Sequence, residues 1–284
     1  MSNKLSNNFV GIRIISEAAI FNHIPKGHPH RPVSNAILFI RKGRVVLKEF
    51  VYTYNLESNH FLFIDCNHVY EVIEVSDDLE ITLLGYQGDF LERISFKMNK
   101  IQVYRSLKAQ VSRNFELQPN QVDILYSSLD QIERILSSKK VFVYLNEIIE
   151  HCFIMAMYQV ASVVEKDSAN RYITISRSQK LVNDFVFLVS ENYLQNKHVQ
   201  FYAEKLGITM RYLSAVVKAE TNKTPQDFIN EFIITETKAR LSNTSKTIKE
   251  IAFELNFYDQ YTFSNFVFKH LGVRPSEYRS QFLK

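Results

Sequence analysis

The sequence predicts a two-domain α+β protein: a β-barrel or double-sheet jelly roll over residues 1–118, a helical segment over 119–175 and an all-α domain over 176–284. Three observations lead there. Short apolar runs separated by turn residues fill the first part, the texture of many short strands. After Pro119 glycine is absent until Gly207, and apolar residues shift to three- and four-residue spacing. From Val199 onward the chain repeats itself at an interval of 49 to 50 residues.

The predicted strands are Ile12 to Ile15, Ala36 to Ile40, Val45 to Tyr54, His60 to Ile64, Val69 to Val75 and Leu79 to Tyr86. Polar or glycine-containing turns separate them, at Arg41 to Arg44, Asn55 to Asn59, Asp65 to Asn67, Asp77-Asp78 and Gln87 to Asp89. In the helical segment Val122, Leu125, Leu129, Ile132 and Leu136 form one amphipathic stripe. A second helix is expected from Val141 to Glu165, with Leu145, Ile148, Cys152, Met155, Gln159 and Val163 in line. Two such helices could pair with a second copy, which makes a homodimer the expected assembly. Lys166 to Ile175 is polar and reads as a linker. Ser176-Arg177-Ser178-Gln179 has the form of a capping box, so a helix is expected from there to about Asn196.

Composition narrows the class. Hydrophobic residues make up 46% and charged residues 23% of the 284, a globular balance. The two cysteines, Cys66 and Cys152, are too few for a disulfide framework and suit a reducing cytoplasm. Met1 to Phe9 is polar, with no apolar signal core. The longest apolar stretch, Cys152 to Val164, is broken by Gln159 and Ser162 and reads as too short for a bilayer. Residues 1–175 hold 19 basic and 19 acidic side chains; residues 176–284 hold 15 and 11. The entire net charge of +4 therefore lies in the last part, which fits a polyanion partner for that part and equally an ordinary solvated surface.

The repeat carries the chemistry. Ala203, Leu206 and Ile208 recur as Ala252, Leu255 and Phe257; Leu213, Ser214 and Pro225 recur as Phe263, Ser264 and Pro275. Each copy fits a helix-turn-helix. A small alanine lets the second helix cross closely. Gly207, or Asn256, takes the turn, since both tolerate positive φ. Thr209 and Asp259 are placed to cap the second helix. Thr247 to Glu250 forms another capping box, and Pro225 and Pro275 each start a helix. A long connector from Gln226 to Leu241 sets the distance between copies. A span of about 34 Å would let both reading helices enter successive major grooves.

The stretch from about Ser176 to Lys284 resembles the DNA-binding domain of the AraC/XylS transcription regulators. The strongest match is Thr247 to Arg279, through Ile251-Ala252, Phe257, Asp259, Phe263-Ser264, Gly272, Pro275 and Tyr278-Arg279. The resemblance implies a bacterial, cytoplasmic, non-enzymatic regulator that binds double-stranded promoter DNA and contacts RNA polymerase. The chain departs from the family's usual glycine at Asn222 and Asn256. It also lacks the basic residue many members carry at Ala215 and Asn265 and the lysine at Phe268.

The candidate DNA-binding residues are the outward positions of the two second helices and their caps. In the first copy they are Thr209, Met210, Arg211, Ser214, Ala215 and Lys218. In the second they are Asp259, Gln260, Tyr261, Thr262, Ser264, Asn265 and Lys269. Gln or Asn can grip adenine and Arg guanine, each giving roughly 1–3 kcal/mol of discrimination. An RNA reader would instead expose stacking aromatics, and most aromatics here fall at inward positions.

The β-rich part looks like the cupin-like sensor that such regulators often carry. Phe39, Phe50, Tyr52, Tyr54, Phe61 and Phe63 could line a pocket for a small-molecule effector or simply fill the barrel. The competing reading is a metal-dependent cupin enzyme built on His28, His30 and His68, with His23 and His60 nearby. It wants a glutamate shortly after His-x-His, and Arg31 to Asn35 supplies none. His28-Pro29-His30 is therefore read as a surface loop, with no metal, cofactor or catalytic residue expected.

Overall fold

In the computed structural model the residues described are 11–16, 20–21, 26–50, 52–87, 90, 114–138, 143–172, 176–243 and 246–281. Two antiparallel sheets make the N-terminal part, and helices make the C-terminal domain. Strands β1 (Ile12–Ile15), β3 (Asn35–Lys42), β6 (His60–Ile64), β8 (Glu80–Tyr86) and β9 (Asn114–Glu116) form the first sheet, in the order β1-β8-β3-β6-β9. Strands β2 (Pro29–His30), β4 (Arg44–Glu49), β5 (Tyr52–Glu57) and β7 (Tyr70–Val75) form the second, in the order β2-β7-β4-β5.

The first sheet is buried on both faces, so its strands read as apolar runs rather than alternating ones. In β3, Leu38 and Ile40 face the second sheet, where they meet Val45, Leu47, Leu56 and Val72. Ile37 and Phe39 face the other way, onto α1 (Pro119–Ser137) and α2 (Leu145–Tyr172). The expected stripe of α1 is confirmed, with Leu125, Leu129 and Ile132 buried. That of α2 is not. Ile148 and Met155 are exposed, and the inward face is Ile149, Phe153, Ala156, Val160 and Val164. The helix is apolar around most of its circumference, so spacing could not choose a face. Contact with the rings of Tyr86 and Phe90 does.

Helix α2 also begins at Leu145, not Val141, and its backbone continues to Tyr172 through most of the expected linker. Its Leu145–Lys166 stretch is long and apolar enough to cross a membrane by length and composition, and 56% of its most apolar window is buried inside the protein. The expectation of too short a stretch is corrected: apolar residues recur from Leu145 to Val164, with Glu147 and Glu150 as the charged interruptions. The polar run Met1 to Phe9 and the position of His23 lie outside the described residues.

Two further expectations change. Pro29 and His30 are not a free loop: they form β2, an edge strand paired with Glu71 and Tyr70 of β7. An edge is where a proline can join a sheet. The run Val45 to Tyr54 is a hairpin, not one strand, with β4 and β5 paired from Arg44↔Glu57 to Glu49↔Tyr52. The chain turns at Phe50, which holds a φ of 50°. A non-glycine residue with positive φ is strained, so contacts must hold it.

Those contacts reach the C-terminal domain. It comprises α3 (Arg177–Asn192), α4 (Val199–Lys205), α5 (Met210–Thr221), α6 (Pro225–Asn243), α7 (Ile248–Glu254), α8 (Gln260–Leu271) and α9 (Pro275–Ser280). Helix α6 belongs to two cores. Its Phe228, Ile229 and Phe232 pack with α3, α4 and α5, while Leu241 packs with Ile251, Leu255, Phe263 and Val267 of α7 and α8. The Phe50 ring stacks on Phe232 at 4.0 Å between centroids and meets Tyr193 at 5.8 Å.

One turn past Phe232 on the same face lies Glu236, fully buried. Arg31, just after β2, pairs with its carboxylate. Tyr193 Oη donates to it at 3.2 Å and Arg240 Nε at 2.6 Å, and Arg240 extends the chain of charge to Glu254 on α7. Behind Phe50, buried Glu49 accepts from Tyr54 and Tyr70 and meets His68 Nδ1 at 2.6 Å.

Phe50→Ala is expected to lower stability by about 3 kcal/mol, the usual loss for a buried ring. Chemical denaturation of the full chain measures it. A loss near zero would show that the ring does not hold the two parts together.

Candidate nucleic-acid interface

Two helix pairs face solvent with their second members. In the first, α4 ends at a tight turn in which Gly207 takes φ 66°, and Thr209 opens α5 by accepting from Tyr212 N at 3.2 Å. Ala203 is buried in the crossing with Leu213 and Val217. In the second, Thr247 and Glu250 form a reciprocal capping box on α7. Asn256 takes the turn at φ 51°, and Asp259 Oδ1 accepts from Thr262 N at 2.7 Å. Ala252, Phe263 and Val267 are its buried crossing. Pro225 and Pro275 stand first in α6 and α9.

The predicted outward residues are placed as follows. Thr209, Met210, Arg211, Ala215 and Lys218 are exposed on the first pair, and Ser214 is half-buried. Asp259, Gln260, Tyr261, Thr262 and Lys269 are exposed on the second, with Ser264 and Asn265 half-buried. Thr209 and Asp259 are engaged as helix caps. The expectation that aromatics lie inward fails in part on the second pair: Phe253 is 80%, Tyr258 96% and Tyr261 74% exposed. They stand on helices and a turn, not on a sheet.

Sequence reasoning missed two basic residues beside these faces. Arg274, directly before Pro275, lies over the Phe268 ring at 4.8 Å and donates from Nη1 to Asn265 Oδ1 at 3.1 Å. Its place at a proline-started helix was the available signal. Lys197 joins the pairs: its Nζ donates to Asn256 O at 2.8 Å and sits 3.5 Å from the Phe257 centroid. Burial lowers its pKa to about 8. Asn256 in turn donates to Leu194 O at 3.0 Å. No local pattern announces a contact across 59 residues.

A family profile described as a helix-turn-helix domain matches residues 202–281, across both pairs. Curated relatives agree. The region is 28% identical over 101 residues to the regulatory protein SoxS of Escherichia coli, 36% of this chain and 94% of SoxS. A longer match, 22% identical over 199 residues, links it to the HTH-type transcriptional activator RhaR of Mannheimia succiniciproducens, 68% of this chain and 70% of RhaR. Over residues 202–281 the chain therefore resembles the helix-turn-helix domains of AraC-type transcription regulators. A third relative, the raffinose operon regulator RafR of Pediococcus pentosaceus, is 27% identical over 103 residues, and this chain spans only 37% of its length. The AraC-type match is thus firmest over the helical domain.

The N-terminal part holds a cavity of about 680 Å³ between its sheets. Ile12, Leu38, Leu47, Val72 and Ile81 supply apolar walls, and Arg13, His30 and Tyr70 polar ones. None of the six aromatic residues expected there lines it. Phe39, Phe61 and Phe63 pack under the helices, Tyr54 serves Glu49, and Phe50 leaves for α6. The histidines of the metal reading go separate ways. His68 meets Glu49, His60 accepts from Glu57 N at 2.7 Å, and His30 borders the cavity. Among the described residues no three His, Cys, Asp or Glu side chains gather as a metal site.

Two capping carboxylates of this AraC-type domain titrate below their usual range. Backbone and side-chain donation from Thr247 lowers Glu250, and backbone donation from Thr262 lowers Asp259. A carboxylate depressed on folding contributes stability that is complete above its unfolded value, 3.8 for Asp, and lost as pH falls through the folded one. Asp259→Asn keeps a good cap. It is expected to melt close to the parent at neutral pH yet lose less stability between pH 4 and pH 2, measured by thermal scans. Parallel acid curves would remove Asp259 from the acid response.

Proposed function

We infer that this protein is a sequence-specific regulator that reads double-stranded DNA with two helix-turn-helix units, α4–α5 and α7–α8, placed in successive major grooves. The observation that carries the reading is the pair of exposed second helices mounted on one connector, α6, whose two ends are locked into both cores. The reading divides the chain at 1–118, 119–175 and 176–284. Base contact is assigned to Met210, Arg211, Ser214 and Ala215 in the first unit and to Gln260, Tyr261, Thr262, Ser264 and Asn265 in the second. Lys218 and Lys269 face phosphate, and Thr209 and Asp259 set the helix starts. RNA polymerase contact and a cytoplasmic setting belong to the same reading.

A titration against DNA upstream of its own and neighbouring genes, at two salt concentrations and with competitor, tests it. Tight, competitor-resistant binding that weakens with salt is expected. Arg211→Ala and Gln260→Ala should each weaken specific binding by roughly 1–3 kcal/mol with the fold intact. Parent protein with no preference over competitor would overturn the assignment.

The N-terminal part is read as a cupin-like jelly roll with an effector site in its cavity. The support is connectivity. His30 lines the cavity and Arg31, its neighbour, pairs with Glu236 on α6. Tyr70 lines it too and donates to Glu49, which precedes Phe50. An occupant that shifts either residue acts on the two contacts that hold the connector.

A homodimer forms through α2. Tyr144, Ile148, His151, Met155 and Tyr158 are exposed at alternating four- and three-residue steps, the spacing of a helix-pairing seam. Met155→Glu with Tyr158→Glu is expected to give monomers by light scattering. An unchanged dimer would move the interface elsewhere.

A further inference from the structure

Among the positions at which the two repeat copies differ, three meet in the fold. At intervals of fifty residues, Ala215 corresponds to Asn265, Lys218 to Phe268 and Thr224 to Arg274. The first unit thus presents its cation directly, as exposed Lys218 on α5. The second has a phenylalanine there, 48% exposed, and Arg274 lies across its ring. The same guanidinium donates to Asn265 on the outward side of α8. In the first unit Thr224 only joins the cap of α6, bonding to Asp227 at 2.7 Å.

A guanidinium has donors and no acceptor, so the Asn265 side chain must turn its oxygen toward Arg274. Its NH₂ group then points away, toward whatever approaches α8. Stacking on Phe268 restricts Arg274 and makes this orientation persistent. Adenine recognition by asparagine uses both amide atoms, the oxygen accepting from N6 and the nitrogen donating to N7. Guanine presents only acceptors there, O6 and N7. An amide that offers its donors beside a fixed cation matches guanine and disfavours the adenine amino group.

We propose that Arg274 is a positioning residue that turns Asn265 into a hydrogen-bond donor on the second reading helix, so that this position selects guanine over adenine. The proposal rests on the reading that α8 enters the major groove. One guanidinium donor is spent on Asn265, and the charge stands where the first unit has Lys218.

The test is selection of binding sites from a random double-stranded DNA library by the full-length parent, Arg274→Ala, Asn265→Ala and the double variant. Arg274 keeps its backbone bond to Glu277 Oε2 at 2.8 Å in every variant, and its side chain is exposed, so the fold should persist. The parent should select guanine at one base pair of the second half-site. Arg274→Ala should shift that pair toward adenine, on the order of tenfold in relative binding. Asn265→Ala should lose the preference, and the double variant should match it. The same base selected by Arg274→Ala and parent would overturn the proposal. So would a change at a base pair that Asn265→Ala leaves alone. A parent that selects no sequence would overturn the groove reading instead, and this inference with it.

Discussion

Glu236 is a fully buried carboxylate on the helix that joins the two reading units, and its partners come from three directions. A buried charge is tolerated only when paired and hydrogen-bonded. Satisfying this one requires Arg31 from the strand-rich part, Tyr193 from the end of α3 and Arg240 from the next turn of α6. The position of α6 relative to the β-sheets is therefore not free. Phe50, one turn away on Phe232, adds an apolar contact to the same helix face. Such a pairing defines geometry more than it adds stability, because the desolvation of the ions offsets much of their attraction.

From that constraint the rest follows in both directions. Toward DNA, α6 shares the core of each unit, and Lys197 and Asn256 tie the turn of the second unit to the chain preceding the first. The outward faces of α5 and α8 are thereby fixed to each other. Toward the sheets, Arg31 and Phe50 follow His30 and Glu49, which belong to the cavity wall and the buried carboxylate network. A ligand-sized cavity beside β2 is thus mechanically close to the connector, although it is far from the reading helices along the chain.

The helical domain was largely legible in the sequence because its determinants are local. Capping boxes at Ser176 and Thr247, caps at Thr209 and Asp259, positive φ at Gly207 and Asn256, and prolines opening α6 and α9 all act within four residues. The strand-rich part was legible as a class and less so in detail. The run Val45 to Tyr54 looked continuous because Phe50 has no turn chemistry of its own, and at its bend the ring stacks on Phe232 of α6. Helix α2 offered apolar residues on nearly every side, so its inward face depended on the sheet laid against it.

By itself, the sequence determined the class, the repeat, the caps that start α3, α5, α7 and α8, and the outward faces of α5 and α8, since these follow from periodicity and short-range hydrogen bonding. Tertiary structure decided which aromatic residues left the sheets, where the cavity lies, and that Arg31 meets Glu236 across 205 positions and Arg274 meets Asn265 across nine. Ion pairing, ring stacking and desolvation depend on distance in space, and distance along the chain carries no record of it.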